Sequence, residues 1–380
     1  MARIYQLFLI TFAVLLLLPS LSGLVKVPRK LKLGGVIMEP GLTPISKETF
    51  LDGTLQNNLE ERFKRKTAAW PWLVRSDNQL NLLLFEQLSS NYDAAVVLGQ
   101  GNVLFERSYL ADFNRARKLG SEKAAGVIQN LSLLQEKLAA HGIRFLLVLS
   151  PSKLEFEPQI VPPRYVVRGR GKRQNAAQIL LPRLRARGIN VFDTHAFLKE
   201  AQRGLESPFF APGGTHWNEF AACLAGAEIL QRIGTLAGAK TAQISCANQG
   251  IRKAPTADAI DLVRLANLWS GEPFSRPGLK LVRQIRSPGE YHPRVLWEGT
   301  SFTFELMRTF GRVKPFAVFD FYYYFNRRYT LPLKHSEPLE LDQPGLRQEL
   351  LSRDVVVLEI NESVLDEVGH GFLERALAVL

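Results

Sequence analysis

The chain has 380 residues, enough for one large domain or two ordinary domains with a full hydrophobic core. Its charged fraction of 22% and hydrophobic fraction of 46% exclude an intrinsically disordered chain. The formal net charge of +12 suits an anionic partner such as nucleic acid, a membrane surface or an acidic polysaccharide. The local basic cluster at residues 164–173 is either a solvated loop or a contact for such a partner. The sequence contains no zinc-finger spacing, Walker loop or Gly-x-Gly-x-x-Gly turn, and we expect no nucleic-acid partner, no cofactor and no metal site.

The first predicted element is an uncharged apolar stretch over residues 4–25, which is about long enough to cross a bilayer. We interpret residues 1–25 as a transmembrane anchor. A cleaved signal peptide is the alternative, because small residues stand near the end of the stretch. More basic residues follow the stretch than precede it, and this bias favours a cytoplasmic main domain. Large domains are also exported against such a bias, and we therefore favour export.

The next region, residues 26–90, is predicted to be a linker and N-terminal extension. Pro and Gly recur in its first part, and the charged segment 60–66 has helical character. The ordered domain is predicted over residues 91–380. Cys223 and Cys246 are the only cysteines, and their spacing matches neither a metal motif nor a redox pair. The sequence leaves a disulfide between them open.

Within the predicted domain, apolar strands alternate with helical segments. Strands are predicted at residues 143–149, 189–192, 294–297, 315–321 and 354–362, and helices at residues 121–141, 176–187, 196–201 and 219–233. This alternation indicates an α/β fold with a parallel sheet whose central strands are covered on both sides. Residues 240–290 are a basic and polar mixture in which we predict no element.

One turn in this pattern carries a candidate nucleophile. The predicted strand over residues 294–297 is followed by Gly299-Thr300-Ser301, and an apolar helical pattern comes next. A serine on such a turn lies at the carboxyl edge of a sheet, where backbone N–H groups can face a developing negative charge. Ser301 is therefore a candidate nucleophile, and an ordinary helix cap is the alternative.

A serine hydroxyl is a poor nucleophile without a base within hydrogen-bond reach, and the base is usually a histidine. His216 lies on a Gly-rich loop just before the predicted helix at residues 219–233, although a packed His-Trp pair is its alternative interpretation. His195 is a rival base, because Asp193 stands two residues before it at a predicted strand end. Asp193 could also simply cap a turn.

Short motifs occur in a defined order along the chain. They are Leu98-Gly99-Gln100-Gly101-Asn102-Val103-Leu104-Phe105-Glu106 with Tyr109-Leu110, Pro151-Ser152-Lys153, Thr215-His216-Trp217-Asn218, Gly299-Thr300-Ser301-Phe302 and Val357-Leu358-Glu359-Ile360-Asn361-Glu362. In this order, from about residue 92 to the C-terminus, they resemble the alginate O-acetyltransferase family of SGNH-hydrolase-like proteins, the AlgX/AlgJ type. The resemblance implies an SGNH-hydrolase-like three-layer α/β/α fold with a mostly parallel sheet, here behind an N-terminal transmembrane helix.

The resemblance also implies roles for individual residues. Ser301 would be the nucleophile and His216 its general base. Asn361 or a tyrosine, Tyr323 or Tyr324, would help to form the oxyanion hole.

The chain departs from the family at one position. The family usually has an aspartate two residues before the histidine, and Gly214 stands there. Loss of the carboxylate from a serine triad lowers the rate by several powers of ten when nothing replaces it. Three alternatives follow: Asp193 or Glu362 replaces the acid, a Ser-His dyad suffices, or the protein has lost catalysis and kept sugar binding.

The leading hypothesis is a cell-envelope O-acetyltransferase that moves an acetyl group to a polysaccharide hydroxyl through an ester on Ser301. The resemblance implies a polysaccharide acceptor, and a multi-pass membrane O-acyltransferase as the acetyl supplier. We expect the protein in a bacterial inner membrane, held by its N-terminal helix, with the main domain in the periplasm. The alternatives are a catalytically impaired glycan-binding or assembly component of such a system, a carbohydrate esterase, and a binder of nucleic acid or anionic lipid suggested by charge alone.

Overall fold

A computed structural model of this chain describes residues 2–21, 31–35, 41–66, 69–89, 94–115, 120–205, 208–276, 278–331, 336–340 and 342–380. The chain divides into two compact units. The first consists of Met1–Leu98 and Leu262–Glu272, and the second of Gly99–Asp261 and Pro273–Leu380. The domain borders predicted at residues 25 and 90 stay predictions.

Helices and strands alternate through most of the second unit. The helices of the chain are α1 (Ala2–Leu21), α2 (Lys47–Leu51), α3 (Thr54–Lys66), α4 (Trp70–Phe85), α5 (Tyr109–Phe113), α6 (Ser121–Ala140), α7 (Lys153–Phe156), α8 (Ala176–Ala186), α9 (Thr194–Ala201), α10 (Glu219–Ala237), α11 (Asp261–Leu265), α12 (Thr303–Val313), α13 (Gln343–Leu351) and α14 (Phe372–Val379). The strands are β1 (Val96–Leu98), β2 (Leu104–Glu106), β3 (Arg144–Ser150), β4 (Val191–Asp193), β5 (Gln243–Ile251), β6 (Leu279–Ser287), β7 (Arg294–Gly299), β8 (Val318–Tyr323), β9 (Arg327–Thr330), β10 (Ser336–Pro338) and β11 (Val355–Asn361).

The centre of the second unit is a seven-stranded sheet in the order β10-β9-β8-β7-β11-β3-β4. The five strands from β8 to β4 are parallel, and β9 and β10 are antiparallel additions at one edge. The register aligns Leu358 of β11 with Leu147 of β3 and with Glu298 of β7. The parallel strands therefore end together, and their carboxyl ends form one edge. The predicted α/β class with a mostly parallel sheet is confirmed.

Helices cover both faces of this sheet. One apolar core packs α6, α8, α13 and α14 against one face, and a second packs α9, α10 and α12 against the other. The central strand β11 is buried at every position, and its sequence is apolar apart from Glu359 and the terminal Asn361. The arrangement is the three-layer α/β/α architecture expected from the sequence.

The region where no element was predicted, residues 240–290, contains an antiparallel ribbon. β5 and β6 pair with each other, with irregularities in register after Gln243 and Asn248. The disulfide that the sequence left open is present, and it joins Cys223 of α10 to Cys246 of β5 with an S–S distance of 2.08 Å. The ribbon is thus covalently attached to α10.

At the N-terminus, the predicted anchor coincides partly with α1, whose residues Tyr5–Val14 form a short apolar helix. Residues 22–25 of the predicted span lie outside the described residues. Within the described residues, one helix is long and apolar enough to cross a membrane by length and composition, and it is α10. Half of α10 is buried inside the protein, where its apolar residues belong to the core on one face of the sheet. That α1 spans a membrane therefore stays a prediction.

Candidate active site

The turn that carries Ser301 joins β7 to α12, and hydrogen bonds to Glu359 of β11 hold it in place. The Glu359 carboxylate is fully buried and accepts hydrogen bonds from the Thr300 N–H at 2.7 Å, the Thr300 hydroxyl at 2.8 Å and the Thr303 hydroxyl at 3.1 Å. A Cβ atom on Gly299 would lie 2.8 Å from Glu359 Oε2, so only glycine leaves room for this carboxylate. Burial raises the pKa of Glu359, and the hydrogen bonds that it accepts oppose the rise.

The loop that carries His216 is anchored on both sides of that residue. Asn218 caps α10, because its side-chain oxygen accepts hydrogen bonds from two N–H groups of the first turn. Trp217 is completely buried and donates from Nε1 to the carbonyl oxygen of Phe302 at 3.1 Å. The edge of the His216 ring packs on the Phe302 ring with 4.9 Å between centroids. The imidazole is therefore held beside the residue that follows Ser301.

The loop that carries His216 also accepts hydrogen bonds from a buried lysine, Lys153. Lys153 follows β3, and its ammonium group donates to the carbonyl oxygens of Leu104 at 2.8 Å, Ala211 at 2.8 Å and Gly214 at 2.6 Å. Burial lowers the pKa of Lys153 to about 8, and the negative charges of nearby carboxylates act in the opposite direction. Lys153 thus ties the end of β3 to the backbone two residues before His216.

Three side chains form a continuous hydrogen-bonded chain at the carboxyl edge of the sheet. Ser301 Oγ lies 2.8 Å from His216 Nε2, and His216 Nδ1 lies 2.6 Å from Asp261 Oδ2. The other carboxylate oxygen, Oδ1, accepts a hydrogen bond from the Thr215 N–H at 2.9 Å. Because a carboxylate only accepts, Nδ1 carries the proton and Nε2 is free to accept the serine proton. This order of alcohol, imidazole and carboxylate is that of a serine triad.

The carboxylate that contacts His216 is not one of the two considered from the sequence. Asp193 caps the start of α9, and Glu362 lies 2.9 Å from His195 Nδ1. Both replacement assignments are therefore corrected: the acid behind the imidazole is Asp261. The rival base, His195, is paired with Glu362 through Nδ1.

The structure explains why the aspartate of the family motif is missing at position 214. A Cβ atom on Gly214 would lie 2.2 Å from the carbonyl oxygen of Asp258. A 3₁₀ turn, Asp258–Ile260, leads directly into α11 and fills the space that a side chain at position 214 would need. An aspartate side chain at position 214 and the observed turn that places Asp261 beside His216 would therefore occupy the same space, so only one of them can be present.

Of the residues considered for the oxyanion hole, Tyr324 lies beside the nucleophile turn. Its N–H donates to the carbonyl oxygen of Gly299 at 3.0 Å, and its backbone has a φ of +46°. A tyrosine in this left-handed region is strained, and such strain concentrates at functional sites. Burial raises the pKa of the Tyr324 phenol, and hydrogen bonding with Ser301 opposes the rise.

The other two candidates serve the surrounding structure. Asn361 donates from Nδ2 to the carbonyl oxygen of Pro151 at 3.1 Å, and its Oδ1 accepts from the Ser363 N–H at 3.0 Å. Its amide therefore ends β11 and fixes the turn after β3. Tyr323 packs on Phe304, with 5.1 Å between ring centroids, and burial raises its pKa to about 12.

Asp261 was missed from the sequence because it lies in the region where we predicted no element. A weak signal was present: an aspartate stands directly before the apolar residues of the short helix α11. Such an aspartate is normally interpreted as a helix start and not as a site residue. Among the described residues, no group of three or more His, Cys, Asp or Glu side chains is arranged to hold a metal ion.

The three-layer fold, with a serine, a histidine and an aspartate at the carboxyl edge of its sheet, defines an SGNH hydrolase-like protein. A family model described as "SGNH hydrolase-like domain, acetyltransferase AlgX" matches residues 96–286, half of the chain. The chain belongs to this family, and the family predicted from the sequence motifs is confirmed. No curated protein matches the chain.

Solved structures that are similar to this chain include AlgJ, AlgX and PatB1. The O-acetyltransferase domain of Pseudomonas putida AlgJ is 18% identical, with a TM-score of 0.44 over 72% of this chain and 92% of that chain. Pseudomonas aeruginosa AlgX is 12% identical, with a TM-score of 0.48 over 76% of this chain and 68% of that chain. Bacillus cereus PatB1 with a sulfonyl adduct is 10% identical, with a TM-score of 0.44 over 71% of this chain and 94% of that chain.

Proposed function

We propose that this chain is a cell-envelope O-acetyltransferase that transfers an acetyl group to a polysaccharide hydroxyl through an acetyl ester on Ser301. The observation that carries the proposal is the hydrogen-bonded chain from Ser301 Oγ through His216 to Asp261, at 2.8 and 2.6 Å. Membership of an SGNH hydrolase-like acetyltransferase family supports the reaction class.

In the first half-reaction, Ser301 Oγ attacks the carbonyl carbon of an acetyl donor while its proton passes to His216 Nε2. Asp261 accepts the Nδ1–H bond, which fixes the ring and stabilises the imidazolium that forms. When the tetrahedral intermediate collapses, His216 returns the proton to the leaving group and the acetyl ester remains on Ser301. The Tyr324 hydroxyl is our candidate donor to the oxyanion of this intermediate.

In the second half-reaction, a sugar hydroxyl takes the place of the leaving group. His216 Nε2 accepts its proton, the sugar oxygen attacks the acetyl carbonyl, and Ser301 Oγ leaves with the proton that His216 returns. The acetyl group ends on the sugar, and the enzyme is regenerated. Water in the acceptor position would give hydrolysis, which is the esterase alternative.

The acceptor is proposed to be an anionic polysaccharide. The net charge of +12 favours such a polymer, and four side chains of the basic cluster at residues 164–173 are exposed. These side chains are Arg164, Arg168, Lys172 and Arg173. The acetyl supplier is proposed to be a multi-pass membrane O-acyltransferase.

The location is proposed to be a bacterial inner membrane, with α1 as the anchor and the main domain in the periplasm. The Cys223–Cys246 disulfide supports this location, because disulfides persist in oxidising compartments and are rare in the cytosol.

The impaired-component alternative was motivated by the glycine at position 214. Asp261 now supplies a carboxylate to His216, so the glycine no longer argues against catalysis. We therefore favour an active enzyme over a component that only binds glycan.

The test uses the full-length protein with a small acetyl ester as donor and oligosaccharides as acceptors. We expect an acetylated Ser301 peptide by mass spectrometry, acetylated oligosaccharide as product, and loss of both in Ser301→Ala. The matched control is Ser132→Ala on α6, which removes a serine hydroxyl that bonds to Glu136 one turn along the same helix. Acetyl transfer by folded Ser301→Ala would refute the mechanism. Hydrolysis by the wild type without transfer to any oligosaccharide would favour the esterase.

A further inference from the structure

We propose that Arg308 of α12 is a positioning residue, which holds Asp261 against His216 by fixing Asp258. The proposal rests on the proposed function, because it assigns a role within the same site. It concerns how an acid from a distant segment is kept at hydrogen-bond distance from the imidazole.

The contact between Arg308 and Asp258 is two-pronged. Both terminal nitrogens of the Arg308 guanidinium contact the Asp258 carboxylate, one on each oxygen. Such paired contacts fix orientation as well as distance, since the guanidinium and the carboxylate are both planar. Asp258 is buried, with 9% of its surface exposed. The Asp258 carboxylate is therefore largely shielded from water, whereas the Arg308 side chain is one-third exposed.

Glu305, one turn earlier on α12, completes this cluster. Its Oε2 lies 3.1 Å from Arg308, and its carboxyl group also hydrogen-bonds to Asp258. Burial and the neighbouring Asp258 carboxylate raise the pKa of Glu305 to about 10, so Glu305 is neutral at physiological pH and donates its proton to Asp258. Asp258 consequently receives hydrogen bonds from two side chains of one helix.

Asp258 is rigidly connected to the acid. It begins the 3₁₀ turn that continues into α11, and Asp261 is the first residue of α11. The carbonyl oxygen of Asp258 lies 2.2 Å from the point that a Cβ atom on Gly214 would occupy. Asp261 Oδ1 accepts a hydrogen bond from the Thr215 N–H at 2.9 Å. One side of this turn therefore contacts the histidine loop, and the Asp258 side chain attaches the other side to α12. Because α12 begins two residues after Ser301, Arg308 connects the acid to the helix of the nucleophile.

The connection is needed because the acid does not come from the histidine loop. Asp261 is 45 residues away from His216 in sequence. It belongs to the segment of chain that connects β5 to β6, residues 252–278. The segment is also held at its beginning, where Arg252 pairs with Glu219 of α10 at 2.6 Å. Arg252 thus fixes the segment to the helix after His216, whereas Arg308 fixes it to the helix after Ser301.

The test compares Arg308→Met and Arg308→Lys with Arg312→Met, a control that removes an exposed arginine from the same helix. With a small acetyl ester, we expect Arg308→Met to lower kcat by about tenfold to hundredfold with little change in KM, the scale of a roughly 1 Å misplacement. Arg308→Lys keeps the charge but loses the two-pronged bond, and we expect an intermediate loss. Arg312→Met should match the wild type.

A double variant separates positioning from general destabilisation. If Arg308 acts through Asp261, Arg308→Met should have no further effect on kcat in an Asp261→Asn background. Equal losses in both backgrounds would overturn the proposal, and so would a wild-type kcat in folded Arg308→Met. Thermal unfolding establishes which variants fold. If Arg308→Met does not fold, the same two comparisons are decided by Arg308→Lys.

A second readout does not depend on acetyl transfer. The proton on His216 Nδ1, in its short bond to Asp261, should give a far-downfield proton NMR signal in the wild type that is lost in Asp261→Asn. We expect this signal to shift or broaden in Arg308→Met and to stay unchanged in Arg312→Met. If the wild type transfers no acetyl group, the proposed function fails while the signal still tests Arg308. An unchanged signal in both Arg308 variants would refute the positioning role.

Discussion

Changing Gly214 to the aspartate of the family motif is expected to damage this enzyme. The backbone conformation at Gly214 is not the obstacle; the obstacle is the carbonyl oxygen of Asp258, which would lie 2.2 Å from the new Cβ atom. Real Cβ atoms essentially never approach another heavy atom more closely than 3.0 Å. The turn that carries Asp258 and Asp261 and the loop that carries His216 must therefore retreat from each other by at least about 0.8 Å, the difference between these two distances.

This retreat sets the size of the expected effect. A displacement of roughly 1 Å at a positioning group can lower a rate by about 100-fold, and overpacking of a filled site destabilises a protein by about 1–3 kcal/mol. The new carboxylate would also lie near Asp258 and Asp261 and would repel both. We therefore expect Gly214→Asp to lower kcat by at least about 100-fold. Gly214→Ala, which adds only the Cβ atom, should show most of this loss.

The assay is steady-state hydrolysis of a small acetyl ester, with thermal unfolding of each variant. Gly126→Ala on α6 is the matched control, because its Cβ atom would meet nothing within 4 Å. Higher activity in Gly214→Asp, or wild-type activity in Gly214→Ala, would refute the steric argument. A loss of activity in Gly214→Asp is compatible with an active wild-type enzyme, because the wild type already takes its acid from Asp261.

Three further predictions concern the framework around the site. Lys153→Met leaves buried carbonyl oxygens without their donor, so we expect a loss of about 3 kcal/mol in unfolding free energy and a lower kcat, measured by denaturant unfolding and ester hydrolysis. The pKa of Glu305 is raised from 4.5 to about 10, so the folded state retains a proton that the unfolded state releases, and wild-type stability falls as pH rises through this window. The advantage of Glu305→Gln over the wild type should therefore grow with pH, by at most about 1.4 kcal/mol per pH unit, and a constant difference between about pH 6 and 8 would contradict this. The double variant Cys223→Ser/Cys246→Ser loses a covalent link between residues 23 positions apart, and we expect a loss of about 3 kcal/mol, seen as a lower Tm that reductant no longer changes.

The central sheet could be predicted from the sequence because its strands are buried on both faces. β3 contains the apolar run 145–149 and β11 the apolar run 355–358, and the predicted bounds of both strands differ from the observed ones by about one residue at each end. The antiparallel strands β9 and β10 were not predicted. They lie at the edge of the sheet, are partly exposed and carry polar residues, so no apolar pattern identifies them. The same reason applies to the β5–β6 ribbon.

The candidate site was predictable where a local motif carries the chemistry. Ser301 and His216 each lie beside a distinctive turn, and the structure brings them together although 85 residues of sequence separate them. Asp261 could not be found in this way. It lies in the polar region of residues 240–290, where no apolar periodicity predicts the path of the chain. Lys153 and Glu359 belonged to recognised motifs, but their contacts depend on tertiary packing that those motifs do not encode.

A carboxylate that accepts the His216 Nδ1–H bond must place one oxygen in line with that bond. This requirement fixes where the oxygen lies in space but not where its residue stands in the sequence. The volume beside the imidazole can accept either a side chain from position 214 or the backbone of residues 258–261. It cannot accept both, because the Asp258 oxygen lies where the other Cβ atom would be. Gly214 and Asp261 therefore form a matched pair: Asp261→Asn alone removes the acid, and Gly214→Asp alone displaces it. A motif search that requires an aspartate before this histidine would reject a chain whose acid enters from another segment. For this reason the acid in such a fold has to be identified from the contact at Nδ1.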